Sequence, residues 1–154
     1  MKLARGAALL AGLWAGMLLC IALVAAPAGF ATLASHDAGR VAGRMLAQEA
    51  ALSLAFAVVL FLAERRRARS AAAAGQGSVL STNILLLLGV LFCTVAGYYA
   101  IQPMMVAARA GQGTWSFGAL HAVSAAFYGL KTLLVITLAW RLTATAPVSR
   151  PPSS

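Results

Sequence analysis

The sequence predicts an all-α integral membrane protein, a four-helix bundle with a short amphipathic periplasmic turn between the first two helices. Four apolar runs, at about 7–26, 45–63, 80–101 and 117–142, are each long enough to cross a hydrocarbon core of about 30 Å as a helix. The chain is 62% hydrophobic and only 10% charged, whereas soluble domains carry about 25% charged residues. Its basic residues gather on alternate connections between the runs.

These basic residues orient the predicted bundle. Lys2 and Arg5 precede the first run, four arginines follow the second in the segment ERRRARS, and Arg141 and Arg150 follow the fourth. The other side carries fewer, so the positive-inside rule places both termini and the middle connection in the cytoplasm. The net charge of +9 is then explained by the basic residues that orient the chain in the membrane. This distribution predicts the lipid bilayer and anionic headgroups on the cytoplasmic side as partners, and no nucleic acid.

The first run is predicted to be a retained span rather than a cleaved signal peptide. Its apolar length is about 18–20 residues, beyond the 7–15 that are usual in a signal peptide. Gly12 and Gly16 have the GxxxG spacing that lets another backbone approach closely, which indicates helix packing but nothing specific about dimers. A homo-oligomer is left open as a partner. Pro27 is predicted to end or bend this helix. Cys20 and Cys93 both lie within runs and are predicted to be packing residues without a disulfide.

The segment 27–46 is predicted to form the amphipathic periplasmic turn and to lead straight into the second span. Ser35 or Asp37 can cap a new helix there. Asp37, Arg40 and Arg44 then fall on one helical face, at i, i+3 and i+7. They are the candidate residues of this turn, and their simplest interpretation is a set of solvated charges on an interfacial helix.

The remaining connections carry ordinary turn signals. The segment 64–79 is predicted to be a flexible basic loop, Pro103 to kink or stop the third helix, and Trp115 to lie at the interface. Together these elements predict one membrane domain over residues 1–143. Residues 144–154, rich in Pro, Ser and Thr, are predicted to be a disordered cytoplasmic tail.

Polar residues inside a membrane are costly and therefore face the bundle interior or a wet cavity. At about 100° per residue, five side chains of the fourth run fall within an arc of roughly 100°. They are His121, Ser124, Tyr128, Lys131 and Thr132. This stripe is predicted to point inward.

Glu49, in the second run, lies between His121 and Lys131 in depth, so either side chain can reach it. Two interpretations stay open. Glu49 and Lys131 neutralise each other in a purely structural bundle, or Glu49, His121, Tyr128 and Lys131 form a protonatable path or a small polar binding site. In a third alternative, His36 and His121 hold haem or a metal.

The chain contains none of the motifs HExxH, CxxC, nucleophile elbow or phosphate loop. It has three acidic residues in all, too few for paired-carboxylate hydrolysis to be expected. The sequence therefore predicts that the protein is not an enzyme, and it predicts no cofactor and no metal ligands.

Two stretches resemble a known family. They are LWAGMLLCIALVAAPAGFATLASHDAGRVAGRMLAQEA and FGALHAVSAAFYGLKTLLVITLAWRL, which include Glu49, His121 and Lys131 and cover about half of the chain. Both are similar to the bacterial transmembrane protein 205-like family, domain of unknown function 4149. The resemblance implies a four-span protein of the bacterial inner (plasma) membrane with no established activity. Eukaryotic relatives are linked to drug and metal-complex tolerance, which points toward export or membrane trafficking.

Taken together, these observations predict an uncharacterised bacterial inner-membrane protein that binds or moves a small solute or proton through a polar interior. The alternative is a structural or assembly subunit without transport activity, and a haem or metal-binding protein comes third.

Overall fold

The computed structural model describes residues 2–75 and 80–144, and these parts of the chain consist of helices and their connections. Four helical stretches are long and apolar enough to cross a membrane: Leu3–Thr32, Ser35–Ala73, Thr82–Arg109 and Phe117–Ala144. We call them spans 1 to 4. The predicted all-α, four-span class is confirmed. From residue 145 onward, the predicted tail lies outside the described residues.

Span 1 continues through its proline. Helix α1 covers Lys2–Cys20, a π-helical segment covers Ile21–Ala25, and α2 covers Ala26–Thr32 with Pro27 in its first turn. The Ala26 N–H donates to the carbonyl of Ile21, five residues back. A local π adjustment of this kind lets a membrane helix accommodate the backbone groups that a proline disrupts. Pro27 therefore does not end the helix, contrary to that part of the prediction.

Span 2 is a single helix, α3, of 39 residues from Ser35 to Ala73. At about 1.5 Å per residue it is roughly 58 Å long, about twice the thickness of the hydrocarbon core. Its N-cap is Ala34, without a side-chain cap bond, so neither Ser35 nor Asp37 caps it as predicted. Asp37 lies in the first turn instead, where a carboxylate interacts favourably with the helix dipole.

The far end of α3 contains most of the segment predicted to be a flexible loop. Arginine and alanine are both good helix formers, so the helix continues through ERRRARS into an alanine run. It ends where Gly75 takes a positive φ of 71°, a conformation that glycine adopts without steric cost. The prediction of a flexible loop is therefore wrong for residues 64–73.

Span 3 repeats the arrangement of span 1. Helix α4 covers Thr82–Thr94, a π-helical segment covers Val95–Ala100, and α5 covers Ile101–Arg109. Pro103 lies inside α5, so it does not stop the span. Span 4 is the single helix α6, Phe117–Ala144. The turn before it contains Gly111 and Gly113, both with positive φ.

The start of span 1, the end of span 4 and the connection between spans 2 and 3 lie at one end of the bundle, which we call the terminal side. The half of the bundle on this side has a dry apolar core. Its largest fully buried apolar side chains are Trp14, Leu18, Leu60, Leu87, Val90, Val135, Leu138 and Leu142. Many other leucines and valines point outward, as expected for a lipid-facing surface.

The GxxxG glycines of span 1 do not serve packing within this chain. Gly12 and Gly16 are exposed, and a Cβ added at either position would meet no atom within 4 Å. Close helix contacts lie elsewhere, on span 3. A Cβ at Gly97, in the π-helical segment, would overlap the Cβ of Phe127 on span 4, and a Cβ at Gly89 would lie 3.1 Å from the Leu134 side chain. The glycines that let two spans approach closely are therefore on span 3.

Candidate functional site

A buried ion pair joins spans 2 and 4 near the middle of the bundle. The Nζ atom of Lys131 lies 2.7 Å from Oε1 and 2.8 Å from Oε2 of Glu49. Their side chains are 4% and 2% exposed, respectively. Of the two partners that the sequence left open for Glu49, the structure brings Lys131 to it. A charge in hydrocarbon is tolerated when it is paired in this way.

Two further residues extend the pair into the apolar core. The Ser53 hydroxyl donates to Oε1 of Glu49 from one helical turn away, and it accepts a hydrogen bond of 2.9 Å from the Trp14 indole nitrogen. Ser53 and Trp14 are both fully buried. Sequence reasoning missed them, although the spacing of four residues between Glu49 and Ser53 was a usable signal. The network Trp14–Ser53–Glu49–Lys131 thus connects three spans.

The hydroxyl groups of the polar stripe bind backbone carbonyls. Tyr128 donates to the carbonyl of Leu18 at 3.0 Å, and Ser124 donates to that of Gly97 at 2.7 Å. Thr132 donates within its own helix, to the Tyr128 carbonyl. Leu18 lies just before one π-helical segment and Gly97 lies inside the other. Span 4 therefore supplies donors where the helical hydrogen bonding of spans 1 and 3 is irregular.

The Tyr128 ring also faces the ion pair. The Nζ atom of Lys131 lies 4.8 Å from the centre of this ring. An ammonium group at this distance from an aromatic face is attracted to it electrostatically. Tyr128 therefore contacts the ion pair with its ring and span 1 with its hydroxyl.

His121 lies apart from the ion pair. Its side chain is exposed, and its ring stacks on Phe117 with the ring centres 5.9 Å apart. The Arg109 guanidinium lies on the Phe117 ring, 4.4 Å from its centre. His36 lies on the first turn of α3, with Nδ1 3.5 Å from the Asp37 carboxylate. In the described parts of the chain, no three His, Cys, Asp or Glu residues are grouped as metal ligands.

The candidate residues of the predicted periplasmic turn lie on the first turns of α3. Arg40 and Asp37 form an ion pair of 3.8 Å, with side chains that are 75% and 58% exposed. Arg44 is also exposed. An ion pair in such a setting contributes little to stability, because water screens it.

A cavity of about 360 Å³ lies in the half of the bundle away from the terminal side. Both π-helical segments border it, through Ile21 and Ala22 on one side and Gly97 and Tyr98 on the other. Most of its wall is apolar. The polar side chains along it include Glu49, Lys131, Tyr98, Tyr128, Ser124, His121 and Gln102. The buried ion pair therefore forms part of the wall of a cavity.

A second polar network joins spans 2, 3 and 4 at the terminal side. The buried Glu64 accepts from Arg67 at 2.8 Å and from the Asn83 side-chain amide at 2.9 Å. The Asn83 side-chain oxygen accepts from Nε of Arg141 at 2.9 Å. Sequence reasoning assigned Glu64 and Arg67 to a loop and so missed this network. The network joins spans 2, 3 and 4 by hydrogen bonds at the end of the bundle opposite the cavity.

Comparison with known families adds one match. The family described as Domain of unknown function (DUF4149) matches residues 9–114, more than half of the chain. The chain belongs to the DUF4149 family. The predicted membership is thereby confirmed, whereas the relation to transmembrane protein 205-like proteins stays a prediction. No curated protein and no solved structure matches the chain.

The DUF4149 match begins at residue 9, within span 1, and covers spans 2 and 3. It includes Trp14, Glu49 and Ser53, as well as Glu64 and Asn83 of the second network. Span 4, with Lys131, follows the matched region. In this DUF4149 protein the ion pair thus joins a residue of the matched region to one beyond it. Chemically, the arrangement offers an apolar cavity with one strongly polar wall.

Proposed function

We propose that the protein is a non-enzymatic membrane protein that binds a small solute in the cavity beside Glu49 and Lys131. The cavity itself carries this proposal. Its volume of about 360 Å³ falls within the range of about 300–1,000 Å³ that is typical of small-molecule sites. Its walls combine apolar surface with a few convergent polar groups, which is also typical of such sites.

Solute binding is better supported than a proton path. On the terminal side of the ion pair, the described residues form a dry core in which Leu60, Leu87 and Leu138 are fully buried. A chain of proton carriers would have to cross this apolar layer. Movement of a solute across the membrane would likewise require a path through this buried apolar layer. Binding needs neither event, so it is the activity that the geometry supports best.

A structural role is the second candidate, and one observation favours it. Among the described residues, every buried side-chain nitrogen or oxygen has a hydrogen-bond partner. A network without unmet groups can fix the register of the four spans without any ligand. In this alternative the cavity is an incidental gap between irregular helices.

Cys93 provides a test, because its buried side chain borders the cavity. In a Cys20→Ser background, N-ethylmaleimide should alkylate Cys93 in membrane vesicles if small molecules enter the cavity. Ala125 lines the cavity and its neighbour Ala126 does not. We therefore expect Ala125→Trp to slow alkylation at least severalfold and Ala126→Trp to leave it unchanged. A Cys93 that reacts only after denaturation, or equally in both variants, would favour the structural role.

We further propose that the protein lies in the bacterial inner membrane with both termini, and hence residues 144–154, in the cytoplasm. The charge distribution supports this orientation. The exposed side chains of Arg5, Arg65, Arg66 and Arg69 on the terminal side suit anionic lipid headgroups, and no nucleic-acid partner is proposed. Alkaline phosphatase fused to either end should be inactive, whereas activity at both ends would reverse the orientation.

A homo-oligomer through span 1 is a further proposal. Gly12 and Gly16 leave a shallow strip on its outer surface, where a second copy could approach closely. The mass of the protein in nanodiscs, measured by light scattering, tests this. A Gly12→Leu variant should then shift from the oligomer toward the monomer, and a monomeric native protein would contradict the proposal.

A further inference from the structure

We infer that the cavity selects a net-neutral, mostly apolar molecule of about two-ring size that carries one hydroxyl or comparable polar group. This inference rests on the proposed solute binding and adds the class of solute. It follows from the charge balance of the cavity wall, from the hydrogen-bonding capacity left on the ion pair, and from the volume and lining of the cavity.

The charges in the wall cancel. Of the acidic, lysine and arginine side chains in the described parts of the chain, Glu49 and Lys131 border the cavity, one negative and one positive. They already neutralise each other through two short contacts. A ligand with a net charge would bring an unpaired charge into an apolar environment, which is strongly unfavourable. The ligand that costs least to bury is therefore electrically neutral.

The ion pair retains some hydrogen-bonding capacity. An ammonium group has three donor hydrogens, and two of those on Lys131 are directed to Glu49, while the third has no acceptor among the described residues. A carboxylate has about four acceptor positions, of which Glu49 uses three, for Lys131 twice and Ser53 once. One donor and one acceptor thus remain. A hydroxyl group can engage both, because it donates one hydrogen bond and accepts another.

The volume sets the size of the apolar part. A cavity of about 150 Å³ holds benzene, and the present cavity of about 360 Å³ is a little more than twice as large. Tyr98 and Tyr128 offer aromatic surface, and Met45 and Met105 are flexible side chains that adapt to irregular shapes. A fused two-ring aromatic body satisfies both the volume and the lining.

Naphthalene and three of its derivatives test the inference on the native protein in nanodiscs. Naphthol is neutral with a hydroxyl, naphthalene lacks the polar group, naphthoate is an anion, and naphthylmethylammonium is a cation. Equilibrium dialysis measures saturable binding above the partition into protein-free nanodiscs. We expect naphthol to bind about threefold to tenfold more tightly than naphthalene, the gain typical of one net hydrogen bond. Both charged compounds should bind more weakly than naphthol.

Two variants assign the binding to the cavity. Ala125→Trp fills it and should abolish saturable naphthol binding, whereas Ala126→Trp, on the next residue outside the lining, should not. A Glu49→Gln, Lys131→Met double variant keeps a neutral wall without the ammonium. Because the ammonium donor is gone, the preference for naphthol over naphthalene should become smaller than in the native protein.

The outcomes separate the two proposals. If a charged compound binds as tightly as naphthol, the inference of a neutral ligand is wrong while solute binding stands. If naphthalene matches naphthol in the native protein, the ion pair is not the anchor. If no compound binds saturably but Cys93 alkylation remains sensitive to Ala125→Trp, the inferred class is wrong and the cavity is still open to solutes. If that sensitivity is also absent, the proposed function itself is overturned.

Discussion

The Glu49–Lys131 pair makes the most direct prediction about stability. Each single neutral substitution, Lys131→Met or Glu49→Gln, removes one partner and leaves the other group in a setting that is at most 4% exposed. Breaking a buried pair in this way costs about 3–5 kcal/mol. Insertion scales give a similar figure, about 2.5–3.5 kcal/mol for a charged side chain at the centre of a membrane helix.

The double variant should be much less destabilised than the sum of the two single variants. With both charges removed, the side-chain oxygen of the introduced glutamine can still accept from Ser53, and the introduced methionine fills most of the space of the lysine stem. Neutral replacements of a buried ion pair are often tolerated at little net cost. We therefore expect a coupling free energy of about 3 kcal/mol or more between the two positions.

Reversible unfolding of the purified protein by SDS in mixed micelles, followed by circular dichroism, measures these free energies. The exposed pair Asp37 and Arg40 is the matched control, because its 3.8 Å contact is mostly in solvent. Asp37→Asn and Arg40→Met should each change stability by less than about 1 kcal/mol and show almost no coupling. Additive losses at Glu49 and Lys131 would refute the account of a mutually dependent pair.

Two further substitutions probe the contacts between spans. Gly97→Ala should destabilise the protein by about 1–3 kcal/mol in the same unfolding assay, because its Cβ overlaps Phe127. Gly118→Ala, in open space on α6, should be neutral or stabilising, and equal effects at the two glycines would contradict the close contact. Asn83→Leu should cost about 1–3 kcal/mol by leaving Glu64 short of a donor. Thr82, the residue before Asn83, is exposed, so Thr82→Ala should cost less than about 0.5 kcal/mol. A loss of stability equal to that of Asn83→Leu would count against the network.

The fold class could be predicted because it depends on quantities that a sequence states directly. The length and polarity of an apolar run decide whether it can span a bilayer, and four such runs in a short chain leave few alternative architectures. The ends of the helices were harder to predict from the sequence. Pro27 and Pro103 carry the usual signal for a helix end, yet a π-helical segment before each lets the span continue. Whether a helix adopts that segment depends on donors from neighbouring spans, which the local sequence does not contain.

The candidate site was predictable in part. Depth along two helices was enough to bring Glu49 within reach of Lys131, because both lie far from the membrane surfaces. The same argument also allowed His121, since depth does not reveal whether two helices converge or splay. Near His121 the spans enclose a cavity rather than contact one another. The role of Trp14 could not be predicted, because its hydrogen bond to Ser53, 39 positions away, depends on how the spans pack.

The irregular backbone and the cavity have a common origin. A π-helical turn accommodates one extra residue, so side chains after it rotate away from the face that an α-helix would present. Both π-helical segments lie at the same level, and both border the cavity. Ser124 and Tyr128 bind carbonyls of spans 3 and 1, which stabilises the irregular turns and keeps span 4 beside the cavity. The prolines that looked like helix ends thus follow the irregular turns that border the cavity.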